Sequence, residues 1–204
     1  MVRVAVIALW VALVAATWAF APPTRPDVWT WCVDLMSGRW EGTDALVVTH
    51  FQLMGLWPLV FAVQLREDLR ARPVPMWPFV LGSGALGAFV LLPGLALRPA
   101  SPLRVEGALE RGLGSEWLRG LVGAAAVGMV GWGIAVGEPA TWAASWASDG
   151  FVWTMTLDFL ALWAASALLV HERTGRWAWG LAPIVGALVT AAPAGALPAA
   201  DRPS

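Results

Sequence analysis

The stretch FVWTMTLDFLALWAASALLV, residues 151–170, decides the fold class, because it is apolar throughout except for one carboxylate, Asp158, near its middle. Twenty residues of helix span about 30 Å, the hydrocarbon thickness of a bilayer. An acid at the centre of such a helix costs about 2.5–3.5 kcal/mol on the insertion scale, while each Leu, Phe or Val returns about 0.3–0.6 kcal/mol. The stretch contains nine of these three residue types, so we predict that it crosses a membrane.

The composition of the whole chain agrees with a membrane protein. Of its 204 residues, 58% are hydrophobic and only 13% are charged, which leaves too little polar surface to cover a water-soluble domain of this size. The basic residues are spread along the chain and the net charge is −1, so nothing indicates nucleic-acid binding. A single cysteine, Cys32, and the lack of any Cys/His cluster predict neither a disulfide nor a metal site.

Six windows in the sequence are long and apolar enough to cross a bilayer. We therefore predict an all-α, polytopic integral membrane helical bundle that forms a single transmembrane domain over residues 1–204, in the inner (plasma) membrane. The predicted spans are 4–21, 45–65, 76–97, 118–137, 150–170 and 178–197.

The first and last of these windows have special features. The first resembles a signal peptide, but its apolar run exceeds the usual 7–15 residues and Pro22 would follow the cleavage point, so we expect it to remain as a helix. The last contains Pro183 and Pro193, each of which kinks or breaks a helix. It is the span that the sequence supports least.

Arginine placement bears on orientation. With six spans, five Arg lie on the side of the termini and eight on the other, which favours exterior termini under the positive-inside rule. In that arrangement the two most basic helix exits, REDLRARP at 66–73 and HERTGR at 171–176, fall on opposite faces. If both exits are cytoplasmic, the number of spans is wrong by one.

The two halves of the chain echo each other. Trp57 aligns with Trp163, and the residues after them pair Trp77 with Trp177 and Pro93 with Pro193. Three spans per half would make the halves an inverted 3+3 repeat, the architecture of many transporters. Chance is the alternative, since chains rich in Ala, Leu and Trp produce such matches. Small residues at spacing four also predict close helix packing, as in Ser83/Gly87, Ala124/Gly128 and Gly133/Gly137.

The polar residues inside the predicted spans are the candidate site. Asp158 shares a helix face with Thr154, Ala161 and Ala165, so it should point towards protein or a cavity. His50 and Gln52 lie in the second span. With these two spans antiparallel, His50 and Asp158 should differ in depth by about 12 Å, too far for direct contact. Asp158 is either a hydrogen-bonded packing residue or a transport, ligand or partner site.

Other chemistry has less support. His171 belongs to the polar exit HERTGR, so a bis-His haem pair is not predicted, although His50 alone could ligate one pigment or haem. No catalytic motif such as GxSxG or HExxH is present. The sequence therefore predicts no enzymatic activity and no required cofactor.

Several segments resemble a known family. The run HFQLMGLWPLVFAVQL at 50–65, the WPF at 77–79 and the TMTLDFLALW at 154–163 are similar to uncharacterised polytopic membrane proteins of photosynthetic bacteria and plastids. The resemblance covers about residues 45–175. It implies an integral membrane protein of an energy-transducing membrane and carries no known activity. It highlights Asp158 and the pairs Trp57-Pro58 and Trp77-Pro78.

Three functions remain open from the sequence. The first is a non-enzymatic membrane scaffold, assembly factor or accessory subunit, with the lipid bilayer and another membrane subunit as partners. The second is a small secondary transporter with Asp158 as a proton or cation site. The third is a pigment- or quinone-binding protein that uses His50.

Overall fold

The structure, a computed structural model, describes residues 2–70, 72–98 and 107–191, and this part of the chain is helical without strands. Five helices are long and apolar enough to cross a membrane by length and composition: α1 Val2–Phe20, α3 Ala45–Gln64, α4 Trp77–Leu97, α6 Glu116–Val136 and α8 Gly150–Thr174. The shorter elements are α2 Val28–Met36, α5 Ala108–Leu113, α7 Pro139–Ser148, a 3-10 helix Ala178–Leu181 and α9 Val185–Thr190.

Short polar side chains set where the long helices begin. The carboxylates of Asp44 and Asp149 accept hydrogen bonds from backbone N–H groups in the first turns of α3 and α8, and the Ser115 hydroxyl does the same for α6. At the far end of α8, Gly175 takes the left-handed conformation (φ 70°) that terminates helices without a Cβ penalty. The observed helices begin and end within a few residues of the predicted spans 45–65, 76–97, 118–137 and 150–170. The α8 helix continues four residues beyond its predicted span.

The α4 helix does not run straight, because it reverses direction at Gly87 (φ 51°, ψ −133°). A Cβ on Gly82 would lie 2.9 Å from Val90 Cγ1, and one on Gly94 would overlap the Phe79 ring. In a straight helix the second pair would be about 22 Å apart. The two legs of α4, residues 77–86 and 88–97, therefore pack side by side as a hairpin.

One end of the bundle gathers the start of α1 and the ends of α3, α4 and α8. Arg3 donates to the carbonyl of Arg98, and the Arg98 guanidinium bonds Asp68 at 3.4 Å and Glu172 at 2.5 Å. The α4 hairpin thus begins and ends at this face, which we call the arginine-rich end. Its described arginines are Arg3, Arg66, Arg70, Arg72, Arg98, Arg111, Arg119, Arg173 and Arg176.

The opposite face is the acidic end. The Gly150 N–H donates to the carbonyl of Pro23, which joins the start of α8 to the end of α1. The Glu138 N–H donates to Asp44, which joins the end of α6 to the start of α3. Only Arg25 and Arg39 lie here among the described arginines, beside the acids Asp27, Asp34, Glu41, Asp44, Glu138 and Asp149.

This arrangement differs from the predicted alternation of six spans. Because α4 returns to its starting face, the exits 66–73 and 171–176 lie at the same end, where Arg98 bridges Asp68 and Glu172. α3 and α8 consequently run parallel: Phe51 meets Phe151 near the acidic end, and Gln64 meets Ser166 towards the other. The Arg count that favoured exterior termini was made for six crossings, whereas the described helices that run from one end to the other are α1, α3, α6 and α8.

The predicted sixth span, 178–197, is not a continuous helix in its described part. The chain breaks at Ala182–Ile184, where Pro183 removes a donor and Ile184 has a positive φ of 62°, and α9 has only six residues. Gly180 packs on Ala167, and Arg66 donates to the carbonyl of Ala191, so residues 178–191 dip beside α8 and return to the arginine-rich end. Residues 192–197 lie outside the described residues.

The small-residue pairs divide into inner and outer ones. Gly133 and Gly137 receive α3, since a Cβ on either would collide with Thr49 or Leu46. The Ala124/Gly128 pair faces outward, and no atom of the described part of the chain lies within 4 Å of a Cβ built on Gly128. Among the described residues, the predicted close packing of α6 is therefore made on one face only.

Candidate functional site at the turn of α4

Asp158 lies opposite the turn of α4. Its Oδ1 atom accepts a hydrogen bond of 2.6 Å from the backbone N–H of Ala88, the first residue of the second α4 leg. Only 6% of the Asp158 surface is exposed. The acid in the middle of α8 therefore serves as the N-cap of a helix leg that is 70 positions away in the chain.

Gly87 makes this contact possible. Its positive φ is a conformation that residues with a Cβ avoid, and a Cβ there would overlap the Asp158 carboxylate. The turn therefore brings the backbone N–H groups at the start of the second leg directly against α8. The other buried residues on the Asp158 face, Ala161 and Ala165, are small enough to let α4 approach.

The electrostatics of this contact are favourable. A helix N-terminus carries unsatisfied N–H groups and a partial positive charge, which a carboxylate stabilises. Within a bilayer no solvent satisfies these groups, so broken helices persist there only where protein or water covers the break. Asp158 fills the position that a bound anion would take at a half-helix N-terminus in a transporter. The site is thus already occupied by a side chain of the protein.

His50 and Asp158 lie about 10 Å apart in depth, close to the predicted separation of about 12 Å, although α3 and α8 run parallel and not antiparallel. The two helices pair Phe51 with Phe151 and Gln64 with Ser166, so Asp158 lies level with Trp57, seven residues along α3 from His50. The ring of Phe159 packs edge-on against His50 at 5.3 Å. The Nε2 atom of His50 is buried without a hydrogen-bond partner, and Trp142 of α7 lies 6.4 Å from its ring.

Gln52 has a separate, local contact. Its Nε2 atom donates to the carbonyl of Leu35 at the end of α2, with a distance of 3.0 Å. This bond holds α2 against α3 at the acidic end. The structure therefore does not bring the three predicted site residues, Asp158, His50 and Gln52, into one cluster.

Two features near the site are not predicted from the sequence. One is the turn at Gly87, a residue that the sequence analysis assigns with Ser83 to helix packing. The other is a row on α3 formed by His50, Trp57 and Gln64, each with a buried polar atom that lacks a partner. Their spacing of seven, which places them on one helix face, was the available signal.

Comparison with protein-family models, with curated proteins and with solved structures finds no match for this chain. The resemblance to a membrane-protein family of photosynthetic bacteria and plastids stays a prediction from the sequence.

Proposed function

We propose that this protein is a non-enzymatic accessory subunit that binds a transmembrane helix of another membrane protein through the outer face of α6. The observation that carries the proposal is a row of small residues on that face, Gly120, Ala124, Gly128 and Gly131. All four are exposed, and a Cβ built on any of the three glycines meets no atom of the described residues within 4 Å. The row is about 16 Å long.

The opposite face of α6 already binds a helix through small residues. On its inner face, Gly133 and Gly137 accept the close approach of α3 through Thr49 and Leu46. Lipid gives apolar helices no hydrophobic reason to associate, so helix contacts in a bilayer depend on small residues that let backbones approach. A partner helix on Gly120, Ala124 and Gly128 would repeat that contact on the opposite side.

The geometry of Asp158 supports this function over transport. A proton or cation site needs access from one face, whereas Asp158 is 6% exposed and bonded to the Ala88 N–H. Its role in the proposed subunit is to hold the α4 hairpin closed. The rigid bundle then presents α6 at a fixed angle.

A parallel duplication belongs to the same proposal. Each half runs as a crossing helix, a short helix at the acidic end, a second crossing helix and a hairpin from the arginine-rich end: α1–α2–α3–α4, then α6–α7–α8 and residues 178–191. Two crossings per half make the repeats parallel rather than inverted. The excess of arginine at one end orients that end to the cytoplasm of the plasma membrane.

The test compares two alanines on adjacent faces of α6. Ala124→Leu fills the outer row, whereas Ala125→Leu adds the same volume at an exposed neighbour outside it. The protein, tagged and extracted from its native membrane in mild detergent, should migrate on native gels as a complex larger than its 21.7 kDa. Ala124→Leu should release the subunit as a monomer, and Ala125→Leu should not.

Three outcomes would contradict the proposal. These are recovery of the wild-type protein as a lone monomer, equal complex formation by both variants, and a complex that contains only a second copy of this chain. The last would assign the α6 face to self-association. A crosslinker placed at Gly128→Cys in a Cys32→Ser background identifies the neighbour directly.

A further inference from the structure

The row of polar side chains on α3 lies on the seam between α3 and α8. His50, Trp57 and Gln64 are seven residues apart, almost two full helical turns, so they share one face. Phe159 contacts the rings of both His50 and Trp57, at 5.3 and 5.6 Å. Seven residues further along α8, Ser166 accepts a hydrogen bond of 3.1 Å from Gln64 Nε2. The three side chains therefore mark three levels of one interface.

Each level contains a buried polar atom without a partner in the described protein: His50 Nε2, Trp57 Nε1 and Gln64 Oε1. Trp57 is 0% exposed and Gln64 2%. An unpaired donor or acceptor in such surroundings costs about 1–3 kcal/mol. Buried groups of this kind are commonly satisfied by internal water.

Proline supplies an acceptor beside Trp57. Pro58 lacks an N–H, so the carbonyl of Met54, four residues earlier in α3, has no helical donor. Met54 precedes Trp57 by three residues on the same face of α3. At the middle of the seam, the Trp57 indole N–H has no partner among the described residues, and the Met54 carbonyl lacks its regular helical donor.

The α4 hairpin also contains a carbonyl freed by proline, and there an indole donates to it directly. Pro93 frees the carbonyl of Phe89, and the Trp10 indole donates to that carbonyl at 3.0 Å. A second indole, Trp163, donates to the carbonyl of Gly180 at 2.8 Å. Trp57 and the Met54 carbonyl are the pair that does not meet directly.

We infer that the α3–α8 seam binds internal water, with one molecule bridging the Trp57 Nε1–H and the Met54 carbonyl. Water donates to the carbonyl and accepts from the indole, so it satisfies both groups at once. Successive levels of the row are about 10 Å apart. The waters at His50, Trp57 and Gln64 therefore occupy separate positions and form no continuous wire.

X-ray hydroxyl-radical footprinting tests this inference on the full chain in lipid nanodiscs. Radiolysis makes radicals from water in place, so a buried side chain is oxidised when a bound water touches it. Trp57 should be oxidised several-fold faster than Trp10 and Trp163, although it is the most buried of the three. Oxidation of Trp57 at or below the rate of Trp163 would overturn the inference.

A proline variant identifies the acceptor. Pro58→Ala returns an N–H to the Met54 carbonyl, which should displace the bridging water and lower Trp57 oxidation to the level of Trp163. Pro93→Ala is the matched control, and it should leave Trp57 oxidation unchanged. Unaltered Trp57 oxidation in a folded Pro58→Ala protein would refute the bridge to Met54. If that variant does not fold, the wild-type comparison of Trp57 with Trp163 decides alone.

Discussion

The carboxylate of Asp158 caps the backbone N–H of Ala88 at 2.6 Å, at the point where α4 turns back on itself. An acid that looks out of place in an apolar helix is thus the partner of a helix start that would otherwise lie unpaired inside the bilayer. Its neighbour Gly87 supplies the space for this contact.

Substitution of Asp158 separates its hydrogen bond from its charge. Asp158→Asn keeps an oxygen that can accept from Ala88, so its loss of stability should be small. Asp158→Ala leaves that N–H unpaired, and we expect a loss of about 1–3 kcal/mol. Thermal unfolding in detergent measures both. An Asn variant as unstable as the Ala variant would show that the negative charge is essential.

Gly87→Ala should destabilise the protein more than Gly84→Ala. At Gly87 the new methyl group meets the Asp158 carboxylate and the backbone has a positive φ, whereas at Gly84 the nearest atom is Pro58 Cγ at an ordinary 3.8 Å. Strain of this kind costs of the order of 1–3 kcal/mol. Equal melting temperatures for the two variants would argue against the hairpin.

A similar pair tests the inner face of α6. Gly133→Ala drives a methyl group into Thr49, whose hydroxyl bonds the carbonyl of Met129 at 3.2 Å. Gly131→Ala has open space and gains helix propensity, worth up to about 1 kcal/mol. The first variant should unfold at lower temperature and the second at the wild-type temperature or above, as monomers in detergent. The reverse order would place α3 elsewhere.

Orientation can be measured with single cysteines in a Cys32→Ser background. Glu41→Cys, at the acidic end, should react with a membrane-impermeant maleimide added to intact cells. Arg176→Cys, at the arginine-rich end, should react only after the membrane is permeabilised. The opposite pattern would reverse the orientation, and labelling of both sites from outside would contradict the shared location of the two basic exits.

The native thiol predicts a pH dependence. Burial raises the pKa of the Cys32 thiol above its usual value, with the nearby Arg25 charge opposing this in part. Alkylation requires the thiolate, so the folded protein should react more slowly than the SDS-unfolded chain near pH 9. Since the unfolded thiol releases its proton first, stability should fall as the pH rises beyond about 8.5. Identical pH profiles for the folded and unfolded protein would contradict the burial.

Hydropathy located the long helices but not the direction of the chain. The run 76–97 is equally apolar whether it crosses the bilayer or turns back inside it, so periodicity carries no information on the reversal at Gly87. The concentration of small residues just before Gly87, at 82–85, was the available signal for a turn there. The extra crossing made α3 and α8 antiparallel in the prediction, whereas they run parallel. The expected depth separation of His50 and Asp158, about 12 Å, is nevertheless close to the value of about 10 Å that the contacts between the two helices give.

The sixth window is interrupted in its described part for a different reason. Composition over 178–197 is apolar enough for a span, but Pro183 and the positive φ of Ile184 divide its described part into a 3-10 turn and a six-residue helix. Asp158 was identified correctly as inward-facing, because an acid has few other options at that depth. Its partner was not predictable, since a backbone N–H carries no mark in the sequence.

The cap on Ala88 also constrains biosynthesis. Asp158 is made 70 residues after Ala88, which at about 5–20 residues per second is a delay of roughly 4–14 s. The turn at Gly87 therefore lacks the side chain that closes it until synthesis has reached α8.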